Sequence, residues 1–220
     1  MKKFQFLLLV LFTMSASFAQ NEKYVKAMES KVGLLDSNNK ADTWKDLANS
    51  FERIGDAERT QWLPYYYASF CHVMAGYTSL PMDGSMGDNS SITDPPADKA
   101  EQLIDKAAGL AGENSEIYCV KKMIYSLRMM GNPMARYMTE GAKASEALEK
   151  AKALNENNPR VYILEGQDKF YTPEQFGGSK TEAKKLFEKA NEIFMVIKPG
   201  SSIEPQWGRA QVGYFLSQLN

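Results

Sequence analysis

His72, Cys71, Cys119, a run of methionines and one acidic loop are where this 220-residue chain has side chains suited to chemistry. His72 is the single histidine, so no imidazole pair exists and a nucleophile–base couple would have to rely on that one ring. The two cysteines stand 48 positions apart in segments that read as helices. They are read as two buried thiols, with one staple between neighbouring helices as the alternative that an exported setting permits. Met123, Met129, Met130, Met134 and Met138 fall within sixteen residues, and the last three recur every fourth position. Thioethers select copper(I), but they also fill irregular core gaps, and core filling is the preferred reading. The segment Pro81 to Pro96 carries Asp83, Asp88, Asn89, Ser90 and Asp94, oxygens suited to calcium. It lacks the glycine and terminal glutamate spacing of an EF-hand, so it reads as a solvated loop. Gly84-Ser85-Met86-Gly87 does not make a nucleophile elbow. Paired carboxylates such as Glu146 with Glu149 and Glu182 with Glu188 are interleaved with Lys143, Lys150 and Lys184, the pattern of solvated helix faces. The expectation is a protein that is not an enzyme, with no catalytic residues, no metal site and no cofactor.

What must position these residues is a set of helices behind an export signal. Lys2 and Lys3 precede an apolar run from Phe4 to Met14, followed by small residues ending Ser17-Phe18-Ala19. That layout predicts a signal peptide over 1–19, too short to span a bilayer, and a helical domain over 20–220. No cysteine follows the predicted cut, so no lipid anchor and no stable membrane insertion are expected. Loss of Lys2 and Lys3 leaves 24 basic residues of the original 26 against 27 acidic ones. That balance excludes the concentrated basic face nucleic acid requires. Proline and glycine gather between apolar-periodic segments, and the helices are expected at 22–36, 41–54, 61–79, 96–111, 116–130, 134–155, 160–171, 180–197 and 205–219. Asp94-Pro95, Asn132-Pro133 and Asn158-Pro159 each offer a cap followed by a proline suited to a first turn, and Ser179 with Glu182 forms a capping box.

The helices repeat. Trp44, Leu47, Ala48 and Phe51 form one motif, with a turn expected at Gly55-Asp56; Tyr67, Phe70, Cys71 and Met74 match it loosely. Ala100-Ile104-Ala107, Ala144-Leu148-Ala151 and Ala183-Phe187-Ala190 give a small–large–small spacing three times. Ala107 to Tyr118 and Ala151 to Tyr162 are both steps of eleven, and Gly166 then falls on a small position. Trp207, Ala210 and Tyr214 open a last helix that reads as a cap. On these residues the chain resembles tetratricopeptide repeat (TPR) proteins over about residues 41 to 219. Asn157-Asn158-Pro159-Arg160-Val161-Tyr162 and Tyr171-Thr172-Pro173-Glu174-Gln175-Phe176-Gly177-Gly178 are similar to exported bacterial members. Departures are Lys121, Lys122 and Glu165 at repeat positions, and a stretch Asp56 to Trp62 too short for a second helix.

The resemblance implies an all-α, TPR-like solenoid of helical hairpins, about four units with a C-terminal capping helix. It also implies a non-catalytic scaffold that binds a protein or peptide partner through a concave groove. Counting from the aromatics, that groove would be lined by Lys45, Asn49, Arg53, Tyr65, His72, Met123, Arg160, Gln167 and Tyr171, with Asp42 and Glu116 beside them. Lys45 and Asn49 stand where a carboxylate clamp places a lysine and an asparagine, but Ser69, Glu116 and Val120 break that pattern. The alternative is a small-ligand-binding protein whose insertions and aromatics, Tyr65, Tyr171 and Trp207, close a pocket. The bacterial resemblance favours the periplasm over secretion, and no nucleic-acid partner is expected.

Overall fold

The computed structural model describes residues 21–81 and 87–219. The predicted signal peptide at 1–19 lies outside them, as do Asp83 and the Gly84-Ser85-Met86 stretch. The described chain is all helix and turn: α1 (21–32), α2 (Ala41–Glu58), α3 (Trp62–Ser79), α4 (Ser90–Ala111), α5 (Ser115–Gly131), α6 (Pro133–Arg136), α7 (Ala142–Leu154), α8 (Pro159–Tyr171), α9 (Lys180–Val196) and α10 (Arg209–Gln218). A π-type turn, Tyr137–Gly141, joins α6 to α7, and a 3-10 turn, Glu174–Phe176, follows α8. Consecutive helices pack as hairpins, α3 on α4, α5 on α7 and α8 on α9, stacked into a solenoid-like array. Among the described residues no helix is long and apolar enough to cross a membrane.

Several local signals act as expected. The Asn158 side chain accepts from the Arg160 amide with Pro159 in the first turn of α8. Ser179 accepts from the Glu182 amide to start α9, and Asn132 caps α6 through the Ala135 amide. The small repeat positions do what close packing needs: Ala100, Ala107, Ala151, Ala183 and Ala190 have no exposed surface. A methyl group on Gly166 would sit 2.8 Å from the Phe187 ring, which is itself fully buried. Gly166→Ala is therefore expected to cost about 1–3 kcal/mol through overpacking. Thermal denaturation checks it; an unchanged midpoint would mean the α8–α9 contact is looser than drawn. The three departures from the repeat pattern are ties between helices. Lys121 pairs with Asp105 of α4 at 2.9 Å, Lys122 with Asp168 of α8 at 2.6 Å, and Glu165 with Lys152 of α7 at 2.9 Å.

The structure corrects the expected elements at three places. The turn expected at Gly55-Asp56 is absent: α2 continues to Glu58 and ends on Arg59 in the left-handed region, φ 56°. Gly55 is a packing glycine, since a Cβ there would meet the Tyr65 ring at 2.8 Å. With α2 unbroken, Gly55 to Tyr66 is a third step of eleven, so α2 closes one pair and α3 opens the next. Asp94-Pro95 is not a helix start either. α4 begins at Ser90 and carries Pro95 and Pro96 inside it. The missing backbone bonds are offset by tertiary anchoring: the Asn89 amide donates to the Gly131 carbonyl at 2.6 Å, and Arg136 grips both oxygens of Asp94 at 2.6 and 2.8 Å. Lastly, Trp207 precedes the final helix rather than opening it. Gly208 at φ 103° turns the chain, α10 buries Val212 and Phe215, and Ala210 and Tyr214 face solvent.

Two packed clusters follow. The larger joins α1 to α5 with Ala151, Val161, Leu164, Ile203 and Trp207. The smaller holds α8, α9 and α10 together around Phe187 and Phe215, whose rings stack at 4.6 Å.

Candidate functional site

The segment from Ile197 to Gly208, called the strap below, leaves α9 and crosses back over the array. Tyr67 of α3 donates its hydroxyl to the Ile203 carbonyl at 2.9 Å, and Ser202 donates to Glu29 of α1 at 2.6 Å. The Trp207 indole stacks on Phe70 at 4.8 Å and donates its N–H to the Tyr66 hydroxyl at 2.8 Å. Tyr66 in turn donates to Glu116 at 2.7 Å. The same carboxylate accepts from Arg160 Nε at 2.7 Å and from Asn158 at 2.8 Å, and the Arg160 guanidinium lies 5.7 Å from the Trp207 ring centre. Burial works against the Arg160 charge, but the Glu116 carboxylate outweighs it and holds its pKa above the ordinary value. Burial and the same carboxylate push the Tyr66 phenol far up, which keeps it protonated.

The nine residues expected to line one groove are dispersed by this arrangement. Lys45, Asn49 and Arg53 lie on the solvent face of α2. Tyr65 is buried against Gly55 and donates to Asp56, Met123 is a core residue, and His72 is half-buried with Nε2 lacking a partner among the described residues. Burial lowers the His72 pKa. Gln167 is half-buried, and Tyr171 is exposed with its ring against Phe170 and Phe215. Of the nine, only Arg160 lines either of the two cavities described next. Cys71 and Cys119 are free and buried, and burial raises both thiols well above their ordinary pKa. Among the described residues no group of three or more His, Cys, Asp or Glu side chains is placed to hold a metal ion.

One cavity, about 550 Å³, opens where the first turns of α5 and α8 meet the strap and α10. The other, about 450 Å³, is a cleft between α5, the π-type turn, the start of α7 and the end of α8. Tyr137 and Met138 of the π-type turn, Phe176 and Gly177 after α8, and Met129 and Lys169 line this cleft. Tyr137, Met138 and Phe176 are 64 %, 80 % and 70 % exposed, an apolar opening that water must cover. The Phe176 side is held by backbone. Gly177 takes φ 92° to end the 3-10 turn, and any side chain on Gly178 would run into the Thr172 carbonyl. Lys169 donates to the Gly177 carbonyl at 3.1 Å, and the Ser179 amide donates to the Lys169 carbonyl at 2.9 Å. Among the described residues the one carboxylate on the cleft, Asp168, is already paired with Lys122. The core-filling reading of the methionines holds only for Met123: the helix changes to a π-type turn at 137, Met130, Met134 and Met138 are exposed, and Met129 and Met138 line the cleft.

These features define a class: an all-α array of helical hairpins with an apolar cleft built on its insertions. No family model matches the chain, and no curated protein matches it. Among solved structures, the HusA haemophore from Porphyromonas gingivalis superposes with a TM-score of 0.77 at 33 % sequence identity, over 89 % of this chain and 92 % of that one. The chain belongs to the family of that haemophore.

Proposed function

We propose that this protein is an exported, non-enzymatic TPR-type carrier that binds a haem-class ligand in the cleft between Tyr137–Met138 and Phe176. The observation that carries this reading is the placement of three large, exposed apolar side chains from two separate insertions on one cleft, in a chain of a haemophore's family. A porphyrin is flat and apolar on both faces and carries two carboxylates at one edge. Aromatic and thioether walls suit its faces, and Lys169, the cation on the cleft, suits an edge carboxylate. The donors available to iron are the Met129 and Met138 thioethers and the Tyr137 phenol, and each would shift the absorption bands in its own way. The signal peptide at 1–19 would deliver the protein across the inner membrane, with the periplasm as its destination. The small-ligand alternative is thus favoured over a peptide groove.

The test is titration of the chain lacking residues 1–19 with haemin, followed by absorption. Saturable binding is expected, weakened at least about tenfold in a Tyr137→Ala, Phe176→Ala double variant, since each aromatic contact is worth about 0.5–1.5 kcal/mol beyond the area it buries. Lys198→Glu, at the other cavity, should bind as the parent does. Undiminished binding by the double variant, or loss in Lys198→Glu instead, would place the ligand elsewhere.

A further inference from the structure

The 550 Å³ cavity beneath the strap has a different chemistry from the haem cleft, and its wall charges are unevenly satisfied. Three carboxylates line it, and each is already engaged. Glu113 pairs with Lys150 at 3.1 Å, Glu116 accepts from Tyr66, Asn158 and Arg160, and Glu204 accepts the Gly200 amide at 2.6 Å. The cations are less occupied. Arg160, 6 % exposed, has Nη1 without a partner among the described residues. Arg209 gives one N–H to the Phe194 carbonyl at 2.5 Å and lies over the Phe194 ring. Lys198 is exposed and makes no ion pair among the described residues. The N-terminal turns of α5 and α8 both border the cavity, and their aligned peptide dipoles add positive potential. Apolar surface completes the wall: Trp62, Leu154, Phe194 and Ile197.

We infer that this cavity is a second binding site, for a small amphipathic carboxylate. Its apolar body lies against Trp62, Leu154, Phe194 and Ile197, and its carboxylate is taken by Lys198 and Arg209. The volume lies within the roughly 300–1,000 Å³ of small-molecule sites. Buried Glu116 and Arg160 on its wall make it too charged for a wall-to-wall apolar ligand.

The test uses 4-phenylbutyrate as probe and 4-phenylbutan-1-ol as its neutral match, read by the indole N–H resonances of the three tryptophans. Trp62, half-exposed on the cavity wall, is assigned by Trp62→Phe; Trp44 and Trp207 are buried. The Trp62 resonance should move saturably with the acid and at least about tenfold more weakly with the alcohol, the scale expected when hydrogen bonds to a charged group are lost. Lys198→Glu, a surface change that leaves the fold intact, should weaken the acid by about tenfold and leave haemin binding unchanged. Equal affinities for acid and alcohol, an unmoved Trp62, or loss of the effect in the Tyr137→Ala, Phe176→Ala double variant would each overturn the assignment.

Discussion

Glu116→Ala is expected to lower stability by about 3–5 kcal/mol, one of the largest losses available to a single substitution in this chain. Three donors from two helices converge on that carboxylate: Tyr66 of α3, Asn158 at the cap of α8, and Arg160 two residues further on. Removing it leaves the Arg160 charge buried with no counter-charge and the Tyr66 O–H without its acceptor. Glu116→Gln keeps the acceptor but not the charge, and should fall between the two. Urea denaturation followed by circular dichroism measures all three proteins. Glu113, an exposed residue in an ion pair with Lys150, serves as the contrast, and its removal should leave the midpoint in place. If Glu116→Ala unfolds where Glu113→Ala does, the network contributes nothing to holding α3, α5 and α8 together.

Trp207→Ala is the companion experiment, with an expected cost of about 3–5 kcal/mol from the void left by a buried indole. Its ring, 5 % exposed, stacks on Phe70 and meets the Arg160 guanidinium, and its N–H ends the hydrogen-bonded chain at Tyr66. Trp207→Phe retains the stack and loses the donor, so it should cost nearer 1 kcal/mol. Limited proteolysis adds a local measure: in Trp207→Ala the strap should be cut between Ile197 and Gly208 well before the helices are. A strap equally resistant in both variants would show that Ile203 and Ser202 hold it without the indole.

Much of the array could be seen in the sequence because its signals are local. The steps Ala107 to Tyr118 and Ala151 to Tyr162 mark the passages from α4 to α5 and from α7 to α8. The third step, Gly55 to Tyr66, was obscured by three consecutive tyrosines, any of which could set the phase, and by a glycine that reads as a turn. Gly55 is helical because Tyr65 needs its open face. Pro95 misled for the opposite reason: proline usually marks a boundary, but here Arg136 and Gly131 pin the turn before it. The candidate cleft was half legible. Its walls lie on the insertions at 131–141 and 171–178, but their meeting depends on how α5, α7 and α8 pack, which no spacing encodes. The strap was not legible at all. Its hydrogen bonds join residues 136, 141 and 173 positions apart, and nothing periodic announces them.

In an ordinary helical array each unit touches only its neighbours, so folding can begin anywhere and spread. The strap removes that freedom. By joining Glu29 to Ser202 and Tyr67 to Ile203 it raises the contact order of an otherwise local topology, and high contact order slows folding. The first helices cannot complete their core until residues 202 to 207 have been made and delivered. Under the proposed export, a chain still threading through a membrane pore would keep Phe70 and Tyr66 uncovered, and the protein would reach its finished state only once residues 202 to 207 are on the far side.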